Sequence, residues 1–241
     1  MKDHLFFAGQ AGFVIESASG CRMGIDLYLS NVVQEVEGHD GYKRLVPSVL
    51  EPDNCNLDVI IATHFHRDHF DVDSIPRLMN NDKTKLFAAY DCIQDVNESV
   101  FVKNRVIYVK PGNSFRCGDF DLDFINCDHG TGAPQAVGVI ISVDGKRILE
   151  TGDTCLRLDR VDEYLSKGEI DVLIAPINGA YGNLNEEDCV SLAEALRAKM
   201  TIPCHYGMFA SHHGDVGKFY EKMLDKKLPF CLMTMGEDYC L

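Results

Sequence analysis

The sequence predicts an α/β protein in which two mixed β-sheets are flanked by helices, a four-layer sandwich rather than a doubly wound sheet. Short apolar runs joined by tight turns open the chain, and strand–helix units follow in both halves. The 241 residues are 46% hydrophobic and 25% charged, which suits a globular chain with a sizeable core. Since no linker, low-complexity tract or repeat divides the sequence, we expect one domain over 1–241.

The first half is predicted to begin with a β-meander, because apolar runs at 13–15 and 21–25 are separated by a Ser/Ala/Gly turn. The polar segment 31–52 has no clear period, and a loop of that length in a compact domain is usually functional or mobile. Further strands are predicted at 57–63, 85–89 and 106–109, and short helices at 74–79 and 91–97.

The second half contains both predicted strands and predicted helices, which alternate towards its end. Asp144-Gly145 is a strong hairpin signal between two apolar runs. Asn185 is predicted to open a helix whose apolar positions recur at helical spacing. The remaining predictions are strands at 120–127, 137–143, 147–150, 172–175 and 200–204, and helices at 158–165 and 216–224.

Charge and cysteine usage restrict the function classes. The formal net charge of −14, without a basic run, disfavours nucleic acid and anionic membrane surfaces as partners and leaves small molecules open. Residues 1–17 lack a basic start followed by an apolar run, and no stretch is long enough to span a bilayer. Ten scattered cysteines without paired spacing indicate a reduced chain, and we expect a cytoplasmic protein.

Three histidines and an aspartate follow the predicted strand 57–63 within six residues: His64, His66, Asp68 and His69. Residues two apart in an extended segment point to the same side, so His64 and His66 can converge on one metal ion. Asp68 and His69 face another direction, which suits a second ion. Imidazole and carboxylate are the ligands that zinc and similar ions prefer. The alternative is a solvated loop that happens to be rich in histidine. It is disfavoured because only nine histidines are spread over the whole chain, so three within six positions directly after a strand are hard to obtain by chance.

The pattern His-x-His-x-Asp-His after a strand resembles the signature of the metallo-β-lactamase superfamily, whose fold is an αβ/βα sandwich. Three later segments fit this resemblance in order, each at a strand end: 128–130 (DHG), 151–154 (TGDT) and 203–206 (PCHY). The resemblance implies two divalent ions, which share a hydroxide that attacks the substrate. It implies one ion held by His64, His66 and His129, a second held by Asp68, His69 and His205, and a bridging Asp153.

Asp68 and Asp153 are the implied catalytic residues, with Asp68 orienting or shuttling a proton and Asp153 fixing the geometry. The metals would be Zn or Mn, with Fe also accepted by such ligands. Segments 62–71, 109–112, 193–199 and 202–206 resemble the L-ascorbate-6-phosphate lactonases, as does the Asn/Tyr/Gly loop 178–183. This branch implies hydrolysis of a lactone or ester in a small, anionic, phosphorylated sugar acid, and a homo-oligomer.

Two departures from that branch keep other functions open: its characterised members are longer, and residues 128–132 follow the general superfamily pattern. The alternatives are a phosphodiesterase or nuclease of the same fold, and a non-catalytic binding protein. Arg44, Asn178 and Tyr181 are the candidate substrate contacts, although Arg44 also suits a solvated charged loop with Lys43. His212 and His213 are predicted as a surface pair, with a pocket role as the alternative, and His39 is unassigned.

Overall fold

The computed structural model describes residues 3–98 and 103–241 and contains thirteen strands within them. The strands are β1 (His4–Gly9), β2 (Gly12–Glu16), β3 (Arg22–Ile25), β4 (Val59–Ala62), β5 (Lys85–Ala89), β6 (Val106–Val109), β7 (Ser114–Cys117), β8 (Phe120–Asn126), β9 (Val137–Val143), β10 (Lys146–Glu150), β11 (Val172–Pro176), β12 (Met200–Cys204) and β13 (Asp238–Cys240). The helices are α1 (Val32–Glu37), α2 (His39–Tyr42), α3 (Ile75–Leu78), α4 (Ile93–Glu98), α5 (Val161–Leu165), α6 (Glu186–Leu196) and α7 (Val216–Lys226).

The strands form two mixed sheets. The first sheet has the order β13-β1-β2-β3-β4-β5-β6, in which β3 to β6 are parallel and the pairs on the β1 side are antiparallel. The second has the order β12-β11-β10-β9-β8-β7, in which β10 to β12 are parallel and the others antiparallel. The carboxyl ends of the parallel strands therefore gather at one edge of each sheet, where ligands usually bind in α/β proteins.

A continuous apolar core lies between the sheets and takes residues from both, such as Ile61 of β4 and Ile174 of β11. Helices α5, α6 and α7 cover the outer face of the second sheet through a separate apolar cluster that includes Leu192 and Phe219. Helices α3 and α4 add Ile75 and other residues to the core of the first sheet. The predicted architecture of two mixed sheets flanked by helices is confirmed, whereas one domain over 1–241 stays a prediction.

The local predictions hold best where the sequence carries a turn or capping signal. Asp144 and Gly145 both adopt positive φ in the β9–β10 hairpin, as the Asp-Gly pair predicts. Asn185 caps α6 by accepting a hydrogen bond from the Asp188 backbone N–H, and the Asp188 carboxylate accepts one from the Asn185 N–H. The predicted helix at 158–165 is a 3₁₀ turn followed by α5.

Some elements were missed. The meander begins with β1 rather than at residue 13, and the edge strands β7 and β13 were not predicted, because four and three residues give too short a pattern. The segment 31–52 was wrongly predicted to lack regular structure, since it contains α1 and α2. Val32 and Val33 of α1 are buried against Tyr28 and Phe209, so tertiary packing stabilises a helix too short to stand alone.

The ten cysteines all lie among the described residues and are all free thiols. Within the described residues, no helix combines the length and the apolar character needed to cross a bilayer.

Candidate metal centre

The predicted ligands come from four strand ends that meet between the two sheets. His64, His66, Asp68 and His69 follow β4, and His129 follows β8. Asp153 follows β10, and His205 follows β12. Residues 63–69 form bends and a turn rather than an extended segment, so the imidazoles of His64 and His66 converge because the chain curls around the site.

Three imidazoles form one group of potential ligands. The Nε2 atoms of His64 and of His129 each lie 3.0 Å from Nδ1 of His66. His64 is fully buried, whereas His66 is partly exposed to the cavity. Because the three nitrogens face one point, this group can hold one metal ion.

A second group combines carboxylate and imidazole. Nε2 of His205 lies 3.3 Å from Oδ2 of Asp68, and Nε2 of His69 lies 3.6 Å from the same oxygen. The two imidazole nitrogens are 3.4 Å apart. These three side chains can hold a second ion.

Asp153 lies between the two groups. Its Oδ2 is 3.2 Å from Nε2 of His205 and 3.4 Å from Nε2 of His69, on the side of the second group. The same oxygen is 3.8 Å from Nε2 of His129, on the side of the first. Gly152 positions this carboxylate, because its φ of 62° and the 2.9 Å that would separate a Cβ from the Val137 carbonyl exclude a larger residue.

The donor chemistry fits a pair of divalent ions. Several nitrogen and oxygen atoms surround common centres and lie 3.0–3.8 Å apart, so one cation could accept lone pairs from several of them at once. Imidazole and carboxylate suit zinc, manganese and iron. The arrangement does not distinguish among these metals.

Asp26, a residue that the sequence prediction missed, orients two of the ligands. Its Oδ2 accepts a hydrogen bond from Nδ1 of His69 at 2.7 Å and another from the Thr63 hydroxyl at 2.6 Å. The Thr63 oxygen lies 3.1 Å from Nδ1 of His64 and can accept its proton. Nδ1 of each imidazole is therefore assigned as the hydrogen-bond donor, which leaves Nε2 as the atom that can bind a metal once it carries no proton. The only sequence signal is an acidic residue directly after β3.

Gln10 was also missed. Its Nε2 donates to Oδ2 of Asp68 at 2.9 Å, and its backbone carbonyl accepts from the His205 N–H at 2.7 Å. Gln10 is buried and has a φ of 56° in the turn between β1 and β2. It thus links Asp68 to the backbone that carries His205. Its position in the sequence Gly9-Gln10-Ala11-Gly12 predicts a tight turn but gives no sign of a metal site.

The imidazoles of the first group are neutral at neutral pH in the metal-free chain. Burial lowers the pKa of His64 well below its ordinary value, and neighbouring His69 adds to the effect. Burial also lowers the pKa values of His66 and His129. Metal ligation needs neutral imidazole, so the first group is already in its ligating state.

Carboxylates dominate the second group. Burial acts to lower the pKa of His205, but Asp153 and Asp68 outweigh it and raise that pKa to about 9. The same carboxylates raise the pKa of His69 well above its ordinary value against the effect of burial. The pKa of Asp153 is held well below its ordinary range, because the two imidazoles outweigh the opposing effect of burial. A cation is therefore favoured at this position.

A cavity of about 700 Å³ opens above the ligands and contains two of the predicted substrate contacts, Asn178 and Tyr181. The Tyr181 hydroxyl lies 3.1 Å from the Tyr42 hydroxyl and 3.1 Å from Nε2 of His212, so the end of α2 and two connecting segments meet at the cavity mouth. The hydrogen bond with Tyr181 raises the pKa of Tyr42 to about 12, and Tyr42 keeps its proton at neutral pH. We call Tyr42, Tyr181 and His212 the rim.

The structure places the remaining candidates away from the cavity. The Arg44 guanidinium donates to the carbonyls of Tyr28 and Ser30 at 2.9 and 3.3 Å and lies over the Tyr28 ring. Arg44 does not line the cavity, and this placement favours a role in holding the segment after β3 over the predicted anion contact. Lys43, His39 and His213 are exposed residues outside the lining.

The sequence matches the family model "Beta-lactamase superfamily domain" over residues 4–205. A UPF0173 metal-dependent hydrolase of Aeropyrum pernix is 28% identical over 98% of this chain and 96% of its own length. A UPF0173 metal-dependent hydrolase of Hyperthermus butylicus is 30% identical over 86% of this chain and 85% of its own length. The Escherichia coli protein named "Probable L-ascorbate-6-phosphate lactonase UlaG" is 23% identical over 88% of this chain and 71% of its own length.

Solved structures share the fold. A metallo hydrolase of Ignicoccus hospitalis superposes with a TM-score of 0.77 at 22% identity, covering 100% of this chain and 99% of that one. The metallo-β-lactamase fold protein YhfI of Bacillus subtilis gives a TM-score of 0.72 at 16% identity, covering 99% of this chain and 100% of that one. At these identities the similarity concerns the arrangement of sheets and helices.

Proposed function

The chain belongs to the β-lactamase superfamily, among its metal-dependent hydrolases, and from this premise we propose that it hydrolyses a lactone or ester of a small molecule with two divalent ions. One observation carries the proposal. Seven ligand side chains converge at the floor of a cavity whose volume suits a small molecule. We call these seven the floor: His64, His66, Asp68, His69, His129, Asp153 and His205.

The bound ions would be Zn or Mn, with Fe accepted by the same ligands, and they would supply an activated water and polarise the oxygen of the scissile bond. The chain supplies the geometry. The Asp153 carboxylate lies within 3.8 Å of imidazoles from both groups and sets their spacing. Asp68, held by the Gln10 amide, is placed to orient a water or receive its proton at Oδ2.

The substrate lies between the floor and the rim in this proposal. Asn178 and Tyr181 line the cavity, and the Tyr181 hydroxyl can donate a hydrogen bond to a carbonyl or ring oxygen. Positioning of this kind lowers the activation barrier of hydrolysis, because the substrate is already oriented towards the attacking water. We also propose a cytoplasmic location, since ten free thiols suit a reducing compartment, and a homo-oligomer as in the resembling lactonases.

The test is elemental analysis of purified protein, followed by assays on a panel of lactones, esters and phosphodiesters with and without chelator. We expect about two equivalents of metal per chain. We also expect lactone or ester turnover that chelator removes and metal restores. Cleavage of phosphodiesters alone would show a phosphodiesterase or nuclease instead. Stoichiometric metal without turnover of any class would indicate a binding protein.

A further inference from the structure

We propose that the substrate carries no anionic group away from the scissile bond and has an apolar portion of several carbon atoms, which lies against a wall formed by Val33, Val36, Phe65 and Phe209. We call these four residues the apolar wall. The inference deepens the proposed function and rests on it. It also replaces the sequence-based expectation of an anionic, phosphorylated substrate, for which the cavity offers little.

Part of the apolar wall is exposed to solvent inside the cavity. Val33 and Phe209 are anchored in a small cluster with Tyr28, whereas Val36 is 61% exposed and lines the cavity. Apolar surface inside a concave site is stabilised when a ligand removes it from water. The α1 helix therefore presents an apolar face to whatever extends upward from the floor.

Phe65 is the part of the apolar wall that lies beside the floor, with its ring centroid 4.8 Å from that of His66. Phe65 packs against the buried cluster of Cys127, Ala133 and Ala136, so its ring is held in place. Gly130, Thr131 and Gly132 also line the cavity and add no charged group. The apolar wall and these small residues together leave room for an apolar portion of the substrate.

The charges of the lining act against an anion. Among the described residues that line the cavity, Arg67 is the only lysine or arginine. Its guanidinium donates to Oδ1 of Asp95 at 2.8 Å, so its charge is already paired. Glu37, at the end of α1, adds a carboxylate to the lining. A phosphate or carboxylate in this upper part would meet a like charge and no free cation.

The floor does not change this conclusion, because its positive charge is local. Two divalent ions would attract the reacting group, but Asp68 and Asp153 lie among them and offset part of their charge. Recognition of an anion remote from the scissile bond needs a cation at that distance. The described cavity places the apolar wall and Glu37 there instead.

The test uses hydroxamates, which chelate the metals through the head group whether or not the protein turns over a substrate. Calorimetry on the metal-loaded protein would compare acetohydroxamate, butanohydroxamate and hexanohydroxamate with six-carbon analogues ending in carboxylate or phosphonate. We expect affinity to rise about two- to four-fold per added methylene. The carboxylate and phosphonate analogues should bind about ten-fold more weakly than hexanohydroxamate.

Two pairs of variants locate the effect. Val36→Ser should remove most of the gain from chain length, whereas Leu45→Ser, at a similarly exposed residue outside the cavity, should not. Glu37→Lys should strengthen binding of the carboxylate analogue about three- to ten-fold. Glu35→Lys, on the same helix but outside the lining, should leave it unchanged. Both helix positions are exposed, so folding should be preserved.

Tighter binding of the carboxylate or phosphonate analogue than of hexanohydroxamate would overturn the proposal, and so would affinity independent of chain length. The expected binding pattern in a protein that hydrolyses no lactone or ester would support the substrate class and refute the proposed reaction. Absence of binding by the whole series would refute both.

Discussion

The floor and the rim of the cavity are built in opposite ways. The floor ligands follow buried strands, and Asp26, Thr63 and Gln10 hold them by hydrogen bonds of 2.6–3.1 Å. The rim comes from the last residue of α2 and from two connecting segments, and Tyr181 is 70% exposed. On the proposed function, the difference teaches that the strand ends fix the metal ligands, whereas the choice of substrate is left to segments that can change without disturbing them.

Positive φ angles occur at the rim and around the floor. Tyr181 and His212 adopt φ values of 53° and 51°, a left-handed conformation that costs a non-glycine residue about 1–3 kcal/mol. Such conformations persist when neighbouring contacts determine them, and the hydrogen bonds among Tyr42, Tyr181 and His212 supply such contacts. The floor contains one comparable residue, His205 at φ 64°, and its N–H is fixed by the Gln10 carbonyl.

The largest expected effect follows from removing a floor ligand. Asp153→Ala takes away the oxygen between the two groups, and His64→Ala takes away a fully buried imidazole. We expect either variant to lose turnover to the assay background and to bind less than two metals per chain, while circular dichroism shows an intact fold. Asp159→Ala, an exposed aspartate outside the cavity, is the control. Full activity of Asp153→Ala would remove that residue from the site.

A smaller effect on the metal centre is expected from changing Asp26, which holds a ligand by a hydrogen bond. Asp26→Asn would place an amide where a carboxylate now accepts the proton of His69 Nδ1, and the favoured tautomer of that imidazole would change. We expect metal affinity, measured by competition with a chromogenic chelator, to fall about 10- to 100-fold. Asp58→Asn is the control, because Asp58 also accepts a backbone hydrogen bond but precedes β4, at the end of that strand opposite to the ligands. Unchanged affinity in Asp26→Asn would mean that the floor does not depend on its support.

The same division explains what could be predicted from the sequence. His64 to His69 are readable because ligand residues cluster after an apolar strand, and the order of later His and Asp residues at strand ends extends the set. Asp26 and Gln10 carry no pattern of their own. Gln10 meets His205 across 195 positions, and only the complete topology brings them together.

The rim residues and the hydrogen-bond partners of Arg44 could not be predicted from the sequence for a related reason. The local backbone conformation decides which side chains face the cavity. The residues around Tyr42 and around His212 show no repeating apolar pattern from which the direction of these side chains could be predicted. Arg44 was chosen because guanidinium suits anions, but backbone carbonyls of Tyr28 and Ser30 lie nearer and take its donors. Residue type alone does not show which partner a charged side chain will find.

The smallest expected effect lies at the rim and tests its role in substrate choice. Tyr181→Phe removes one hydroxyl that contacts both Tyr42 and His212. We expect KM for a lactone or ester substrate to rise about three- to ten-fold, because one hydrogen bond contributes about 1 kcal/mol, with kcat and metal content unchanged. Tyr220→Phe, an exposed tyrosine on α7 outside the cavity, should change neither parameter.

A split of this kind would sharpen the contrast, since a change in KM alone shows that the rim binds the ground state and the transition state equally. Loss of kcat in Tyr181→Phe with full metal content would instead place the phenol at the reacting atoms, and the rim would share the chemistry of the floor. Loss of metal from the same variant would show that the strained loops support the ligands. Either result would break the division between a floor that reacts and a rim that selects.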